Sequence, residues 1–175
     1  MPEMKSRDIA VVGILLAIGA ILRFIANMFP GAIVGNPVIA LYCLAIILIH
    51  PTVREALGIG IVAAIVSMLI SHSIFPPANL VSEALGAVVC MLLYSAIENK
   101  VAVAPAITTF IATCVSGFSF ILVCMMVMLA SIIDIPSGTI MGFFAMVAPI
   151  VIITAIFNCV VTQILYFPAK RILSR

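Results

Sequence analysis

The chain has 175 residues, of which 66% are hydrophobic and 8% are charged, and its formal net charge is +2. A soluble domain carries about 25% charged residues, and a chain this short has no core large enough to bury so much apolar surface. The composition therefore predicts an integral membrane protein with one domain over residues 1–175, and it gives no support to nucleic-acid binding.

Proline, glycine and charged clusters divide the chain into six apolar stretches. A spanning helix needs roughly 20 apolar residues, and helices are expected because backbone exposed to lipid must satisfy its own hydrogen bonds. The first stretch is longer than the roughly 7–15-residue core of a signal peptide, so we expect it to remain in the protein. The predicted fold is an all-α bundle of six transmembrane helices, at about 8–29, 37–50, 53–71, 79–97, 104–133 and 138–167.

The basic residues predict the orientation of this bundle. Lysine and arginine are enriched in cytoplasmic loops, and seven of the eight fall on one side of a six-span arrangement, which places both termini in the cytoplasm. The loops on the opposite side are short, rich in proline and glycine, and typical of compact turns. The seven residues are Lys5, Arg7, Arg54, Lys100, Lys170, Arg171 and Arg175.

Two charged residues, Arg23 and Glu83, lie inside the apolar stretches. Both are predicted near the outer ends of their helices, the first and the fourth. An ionisable group within a span costs roughly 2.5–3.5 kcal/mol, so it usually faces a partner or a cavity. Arg23 snorkelling to the interface, Glu83 in the first turn of a helix and a structural salt bridge are bland explanations. The functional hypothesis is a zwitterion site, with Arg23 near a carboxylate and Glu83 near an ammonium group.

Polar residues near these two charges extend the candidate site. Asn79 also fits a helix N-cap, and Asn158 also fits a hydrogen bond to a neighbouring helix. His72 and Asp134 are more typical of loop residues. The predicted substrate-binding residues are Arg23, Asn36, Asn79, Ser82, Glu83 and Asn158.

No catalytic motif is present in the sequence. There is no G-x-x-x-x-G-K-[ST] or H-E-x-x-H pattern, and no G-x-S-x-G. The five cysteines lack C-x-x-C spacing and fit packing in helices. We therefore expect a protein that is not an enzyme and that has no cofactor and no metal ion.

A stripe of small residues lies on one face of the first helix. Gly13, Ala17 and Ala20 follow helical spacing, and Ala10 extends the stripe. Small residues at this spacing allow another helix to approach closely. Packing within the bundle and docking of a partner protein explain the stripe equally well. A second stripe covers residues 58–64.

Four segments resemble a known family: RDIAVVGILLAIGAILRFI, GNPVIALYCLAIILIHP, EALGIGIVAAIVSMLIS and PPANLVSEALGAV. They are similar to the substrate-binding S components of energy-coupling factor (ECF) transporters, especially the bacterial tryptophan-transport members. The likeness covers the first four predicted helices. The last two agree mainly in length, in Asn158 and in the Tyr-Phe-Pro sequence followed by basic residues.

The resemblance implies a division of labour among several proteins. An S component of a bacterial or archaeal plasma membrane captures a small nutrient from outside, here tryptophan as the first choice. It then docks on a transmembrane coupling protein that works with two cytoplasmic ATPase subunits. The face that docks is carried by the first helix, which in this chain corresponds to Gly13, Ala17 and Ala20.

Three alternatives remain open at this stage. An S component specific for a vitamin has the same architecture but a different substrate. A stand-alone secondary carrier has Glu83 carrying a proton and moves its substrate without ATP. A purely structural membrane subunit uses Arg23 and Glu83 only to bridge helices and binds no ligand.

Overall fold

The computed structural model describes residues 4–28, 36–70, 75–130 and 137–173. Within these ranges the chain is helical, without a strand, so the predicted all-α fold is confirmed. The predicted bounds agree with the observed ones to within a few residues in five of the helices. The helices are α1 Ser6–Asn27, α2 Pro37–Ile49, α3 Val53–Ile70, α4 Ala78–Ile97, α5 Ala104–Ala130 and α6 Ser137–Leu173.

The predicted end of the last helix at Phe167 is wrong, because α6 continues through Pro168 to Leu173. Proline is tolerated in a helix of this kind when neighbouring groups satisfy the freed backbone. Lys170 and Arg171 in the last turn also favour the negative end of the helix dipole. The last helix therefore continues beyond Pro168, the proline at which the sequence predicted its end.

Five helices, α1, α3, α4, α5 and α6, are long and apolar enough to cross a membrane. The exception is α2, whose 13 residues extend about 20 Å at 1.5 Å per residue, less than a bilayer core of about 30 Å. It is nevertheless the most enclosed helix, with residues 37–47 all buried. A helix that is apolar on every side is buried in protein or in lipid, and in α2 the surrounding helices provide the burial.

The short helix α2 lies at the centre of the bundle and packs against each of the other five helices. Around it, α3, α4, α5 and α6 pack in sequence, and α1 packs against α2 and α3. The N-cap of α2, Asn36, is level with Glu83, which lies about 8 Å along α4 from Ala78 at 1.5 Å per residue. The N-terminus of α2, which is the positive end of its helix dipole, therefore lies at the same level of the bundle as Glu83.

Both ends of the described chain lie at one end of the bundle, which we call the proximal end. Arg7 Nη2 donates a hydrogen bond of 2.7 Å to the Leu173 carbonyl, and the Met4 amide donates one of 2.7 Å to Glu55 Oε1 at the start of α3. The opposite end, where α1 ends and α2 begins, is the distal end. That the proximal end faces the cytoplasm stays a prediction from the basic residues.

Candidate functional site

Glu83 is the most buried charged residue among those described in the distal half, with 1% of its surface exposed. Asn36 Nδ2 donates a hydrogen bond to Oε1, and Ser67 Oγ donates a longer one of 3.5 Å to the same atom. Ser116 Oγ donates to Oε2 at 3.2 Å. Because burying an unpaired charge is costly, these donors from the α2 cap, α3 and α5 make the position tenable.

Two glycines allow the helices to come this close to Glu83. A Cβ atom on Gly60 of α3 would lie 2.8 Å from the Cα of Ala84, so the two backbones are almost in contact there. A Cβ atom on Gly86 would lie 2.5 Å from the Tyr42 hydroxyl and 3.0 Å from the Ser116 Cβ. The lack of a side chain at these positions therefore lets α2, α3 and α5 close around α4.

Arg23 reaches the same group from α1. Its Nη1 donates a hydrogen bond of 2.9 Å to Ser67 Oγ, the hydroxyl that contacts Glu83. Ser67 is fully buried, so a single hydroxyl connects the cation to the anion inside the bundle, and the two charges attract each other. The guanidinium is thus engaged with the bundle interior, which snorkelling to the interface does not by itself explain.

Asn158 of α6 completes the group. Its side chain is fully buried, and Nδ2 donates to the Asn36 backbone carbonyl at 3.1 Å and to Thr113 Oγ1 at 3.3 Å. The Thr113 hydroxyl in turn donates to the Thr109 carbonyl at 2.8 Å. Asn158 therefore forms hydrogen bonds to neighbouring helices, one of the two roles that the sequence predicted for it. These bonds connect α6 to α5 and to the N-cap of α2.

Several buried atoms in this region lack a hydrogen-bond partner among the described residues. They include Asn36 Oδ1, Asn158 Oδ1 and the hydroxyl of Tyr42, which lies beside Glu83 without meeting hydrogen-bond geometry. More than about 90% of buried polar groups in proteins are hydrogen-bonded, so such a concentration marks a candidate site. We call the group the polar cluster; it consists of Arg23, Asn36, Tyr42, Ser67, Glu83, Thr113, Ser116 and Asn158.

Two predicted site residues lie beside the polar cluster and bond to the backbone three residues earlier in the chain. Asn79 Nδ2 donates to the Pro76 carbonyl at 2.7 Å, and Ser82 Oγ donates to the Asn79 carbonyl at 3.5 Å. The alternative in which Asn79 caps α4 is wrong, because the N-cap position is occupied by Pro77. His72 and Asp134 lie outside the described residues.

Four members of the polar cluster were missed by sequence reasoning: Tyr42, Ser67, Thr113 and Ser116. Serine and threonine are common in packed membrane helices, so their presence in an apolar stretch selects none of them. The usable signal was the helical spacing of Gly60 and Ser67, which are seven residues apart and hence on one face of α3. That face packs on α4, where Glu83 lies.

The small-residue stripe of α1 faces away from the bundle. Gly13 and Ala17 are exposed, and a Cβ atom on Gly13 would meet no atom within 4 Å among the described residues. Ala20 is half-buried, and the inward face of α1 is formed by Val12, Leu16 and Gly19 instead. Packing within the described bundle therefore does not account for the stripe.

A second polar group lies in a cleft of about 120 Å³ at the proximal end. His50 Nδ1 lies 3.4 Å from Glu98 Oε2, and the Tyr94 and Tyr166 hydroxyls are 3.3 Å apart. Lys170 Nζ donates to the Tyr166 hydroxyl at 3.0 Å. These five side chains pair with one another, unlike the acceptors of the polar cluster.

Comparison with known proteins gives one full-length similarity of note. The chain is 28% identical over 176 residues to a protein of Bacillus subtilis (strain 168) named "Probable tryptophan transport protein", and the alignment covers 98% of this chain and 95% of that protein. No family model matches the chain, and no solved structure matches it. The chain is thus a helical, membrane-type protein, consistent with a transporter, whose relative is named for transport and not for catalysis.

Proposed function

We propose that the protein is the high-affinity substrate-binding subunit, or S component, of an ECF-type importer for a small zwitterionic nutrient. Tryptophan is the first choice of substrate, supported by the name of the Bacillus subtilis relative. The observation that carries the proposal is the buried Glu83 carboxylate, which lies one hydroxyl away from Arg23 and beside buried acceptors that no described residue satisfies.

The charges in the polar cluster match the two ends of an amino acid. Glu83 pairs with the ammonium group, and Arg23, whose guanidinium carries five N–H donors, contacts the carboxylate. Asn36, Asn79, Ser82 and Asn158 complete the proposed substrate-binding set. Because water is largely excluded at this depth, each charged hydrogen bond is stronger than at a surface.

Delivery of the substrate requires partners in this proposal. The exposed stripe of Gly13, Ala17 and Ala20 docks on a transmembrane coupling protein, which connects the subunit to two cytoplasmic ATPases. The chain has no P-loop motif of its own, so ATP hydrolysis is assigned to those partners. The proximal end, where the basic residues lie, faces the cytoplasm of a bacterial or archaeal cell, and the distal end receives the substrate.

The test uses the absence of tryptophan from the chain, which contains three tyrosines and no tryptophan. The purified protein in mild detergent is titrated with tryptophan under excitation that spares tyrosine, and indole emission is recorded. We expect a saturable spectral shift that is lost in Glu83→Gln and kept in Glu98→Gln, a matched change at the proximal end. A flat titration of the intact protein removes tryptophan as the substrate and directs the search to vitamins.

The second candidate is a stand-alone proton-coupled carrier, favoured by Glu83, the single buried carboxylate among the described residues of the distal half. In that case the chain alone, reconstituted in vesicles, accumulates tryptophan when a proton gradient is imposed, and an uncoupler stops it. The S-component proposal predicts binding but no accumulation until the coupling protein, the ATPases and ATP are added.

A further inference from the structure

The side-chain orientation of Asn158 is fixed by its neighbours. The Asn36 carbonyl only accepts hydrogen bonds, and the Thr113 hydroxyl already donates its hydrogen to the Thr109 carbonyl at 2.8 Å, which leaves it as an acceptor. Asn158 must therefore direct its amide nitrogen at both. Its Oδ1 is turned away from them, fully buried, and without a donor among the described residues.

The same reasoning fixes Asn36. An ionised carboxylate only accepts hydrogen bonds, so Asn36 presents its amide nitrogen to Glu83 Oε1. Its Oδ1 is consequently a second buried acceptor without a donor among the described residues. Asn36 and Asn158 are joined directly, since Asn158 donates to the Asn36 backbone carbonyl at 3.1 Å.

Donors and acceptors are therefore out of balance around Glu83. The hydroxyls of Ser67 and Ser116 and the amide nitrogen of Asn36 are directed at the carboxylate. A carboxylate has about four lone-pair positions. The Tyr42 hydroxyl lies beside Glu83 but does not meet hydrogen-bond geometry to it, so one position remains. Together with the two amide oxygens, three acceptors from α4, the α2 cap and α6 lie within two hydrogen bonds of one another.

We propose that these three acceptors, on Glu83, Asn36 and Asn158, form a subsite for a primary ammonium group. Such a group has three N–H donors and a positive charge, which matches both the number of acceptors and the charge of Glu83. An indole N–H supplies one donor and no charge, so it leaves two acceptors unpaired. The inference rests on the proposed function and deepens it: the amine end of the substrate is held at this subsite, and the carboxylate end lies toward Arg23.

The experiment varies the number of N–H donors on one ligand scaffold. Tryptophan, its Nα-methyl and Nα-trimethyl derivatives and indole-3-propionate are titrated into the full-length protein, and indole emission is recorded. An unpaired buried acceptor typically lowers affinity by about tenfold. We therefore expect the Nα-methyl compound to bind about tenfold more weakly than tryptophan, the trimethyl compound about a hundredfold or more, and indole-3-propionate more weakly still.

The bulk of the added methyl group is controlled in two ways. α-Methyltryptophan carries the same extra methyl group next to the amine but keeps three N–H donors, so we expect it to bind within about threefold of tryptophan. Asn158→Leu keeps the size of the side chain and removes its acceptor, so the ratio between tryptophan and the Nα-methyl compound should contract. If α-methyltryptophan binds as weakly as the Nα-methyl compound, bulk and not donor count governs, and the subsite is overturned.

The remaining outcomes separate this inference from the function on which it rests. Equal affinities across the methylated series overturn the ammonium subsite and leave the proposed tryptophan-binding function standing. Absence of binding by every indole compound overturns both, because the substrate itself is then wrong. A graded loss with donor number supports both.

Discussion

The two ends of the bundle each contain a group of polar side chains. The groups differ in whether their members satisfy one another's hydrogen bonds. At the proximal end, His50 lies beside Glu98, and the hydroxyls of Tyr94 and Tyr166 lie beside each other. In the polar cluster, Glu83 is served by three helices while neighbouring acceptors have no donor among the described residues. A group that satisfies itself at the solvent-accessible end of a bundle is typical of structure. A buried group with surplus acceptors is typical of a binding site.

Glu55 makes the same contrast within one residue type. Its Oε2 accepts hydrogen bonds from the amide and hydroxyl of Thr52, at 2.7 and 2.8 Å, and Oε1 accepts one from the Met4 amide. These are the bonds of a helix start, and they come mostly from three residues away. Glu83 takes its donors from residues 16 to 47 positions away. Long-range donors fix the relative positions of whole helices, and that arrangement is what a preformed site requires.

The largest expected effect is the loss of binding in Glu83→Gln. Removing one partner of a desolvated ion pair costs about 3–5 kcal/mol, so tryptophan should bind at least about a hundredfold more weakly. Glu98→Gln at the proximal end is the matched control, since it makes the same chemical change away from the polar cluster, and we expect unchanged affinity. Titration by indole emission measures both. If Glu83→Gln retains tryptophan binding, Glu83 is not part of the binding site, and the polar cluster is not distinguished from the proximal group by a role in binding.

The second prediction concerns the exposed stripe of α1. Gly13→Leu places a large side chain where no described atom lies within 4 Å, so folding and tryptophan binding should be unchanged. Docking of a partner helix should weaken by about tenfold to a hundredfold, because an overpacked interface costs about 1–3 kcal/mol. ATP-dependent uptake by the reconstituted transporter should fall accordingly.

The control for this stripe is Gly58→Leu on α3, another exposed glycine with no atom near its Cβ position. It should leave uptake and binding as they are. Equal uptake by the two leucine variants would exclude the α1 stripe as the docking face.

Much of this arrangement follows from the sequence, and the reason is the membrane. Lipid forces each apolar stretch to be a helix, so the bounds of α1 to α5 follow from proline, glycine and charge alone. Arg23 and Glu83 were identifiable for the same reason, because a charge in an apolar stretch is conspicuous. Ser67 and Ser116 were not identifiable, since a serine costs little in a helix and only the packing of α3 and α5 on α4 gives these two a role.

The central position of α2 was likewise beyond the sequence. Its 13 residues are apolar throughout, and an apolar stretch reads the same whether lipid or protein surrounds it. What distinguishes it is its contact with five other helices. That enclosure brings Asn36 to Glu83 and turns a predicted loop residue into a member of the polar cluster.

The third prediction concerns the close packing around Glu83. Gly86→Ala puts a methyl group 2.5 Å from the hydroxyl of the fully buried Tyr42, so we expect a loss of about 1–3 kcal/mol in the free energy of unfolding. Gly58→Ala is the control, because its methyl group meets nothing within 4 Å, and relief of backbone entropy should stabilise α3 by about 0.5–1 kcal/mol. Thermal unfolding in detergent gives both signs. Similar midpoints for the two variants would contradict the close packing of Tyr42 against Gly86.

The smallest effects come from two tyrosines, one in each polar group. The Tyr166 hydroxyl bonds with Tyr94 and accepts from Lys170, so Tyr166→Phe should lower the free energy of unfolding by about 0.5–1.5 kcal/mol. The buried Tyr42 hydroxyl has no hydrogen-bond partner among the described residues, so Tyr42→Phe should leave stability unchanged or raise it by up to about 1 kcal/mol.

The difference between these two changes in stability is the sharpest test of the comparison between the ends, because the chemical change is identical and only the surroundings differ. Stability is measured by thermal unfolding without ligand, and affinity by indole emission. Binding sites commonly retain groups that reduce the stability of the free protein, so Tyr42→Phe should keep or gain stability without gaining affinity. If Tyr42→Phe instead loses as much stability as Tyr166→Phe, its hydroxyl is bonded in the free protein. The Tyr42 hydroxyl of the polar cluster would then have a hydrogen-bond partner within the protein, as the Tyr166 hydroxyl of the proximal group does.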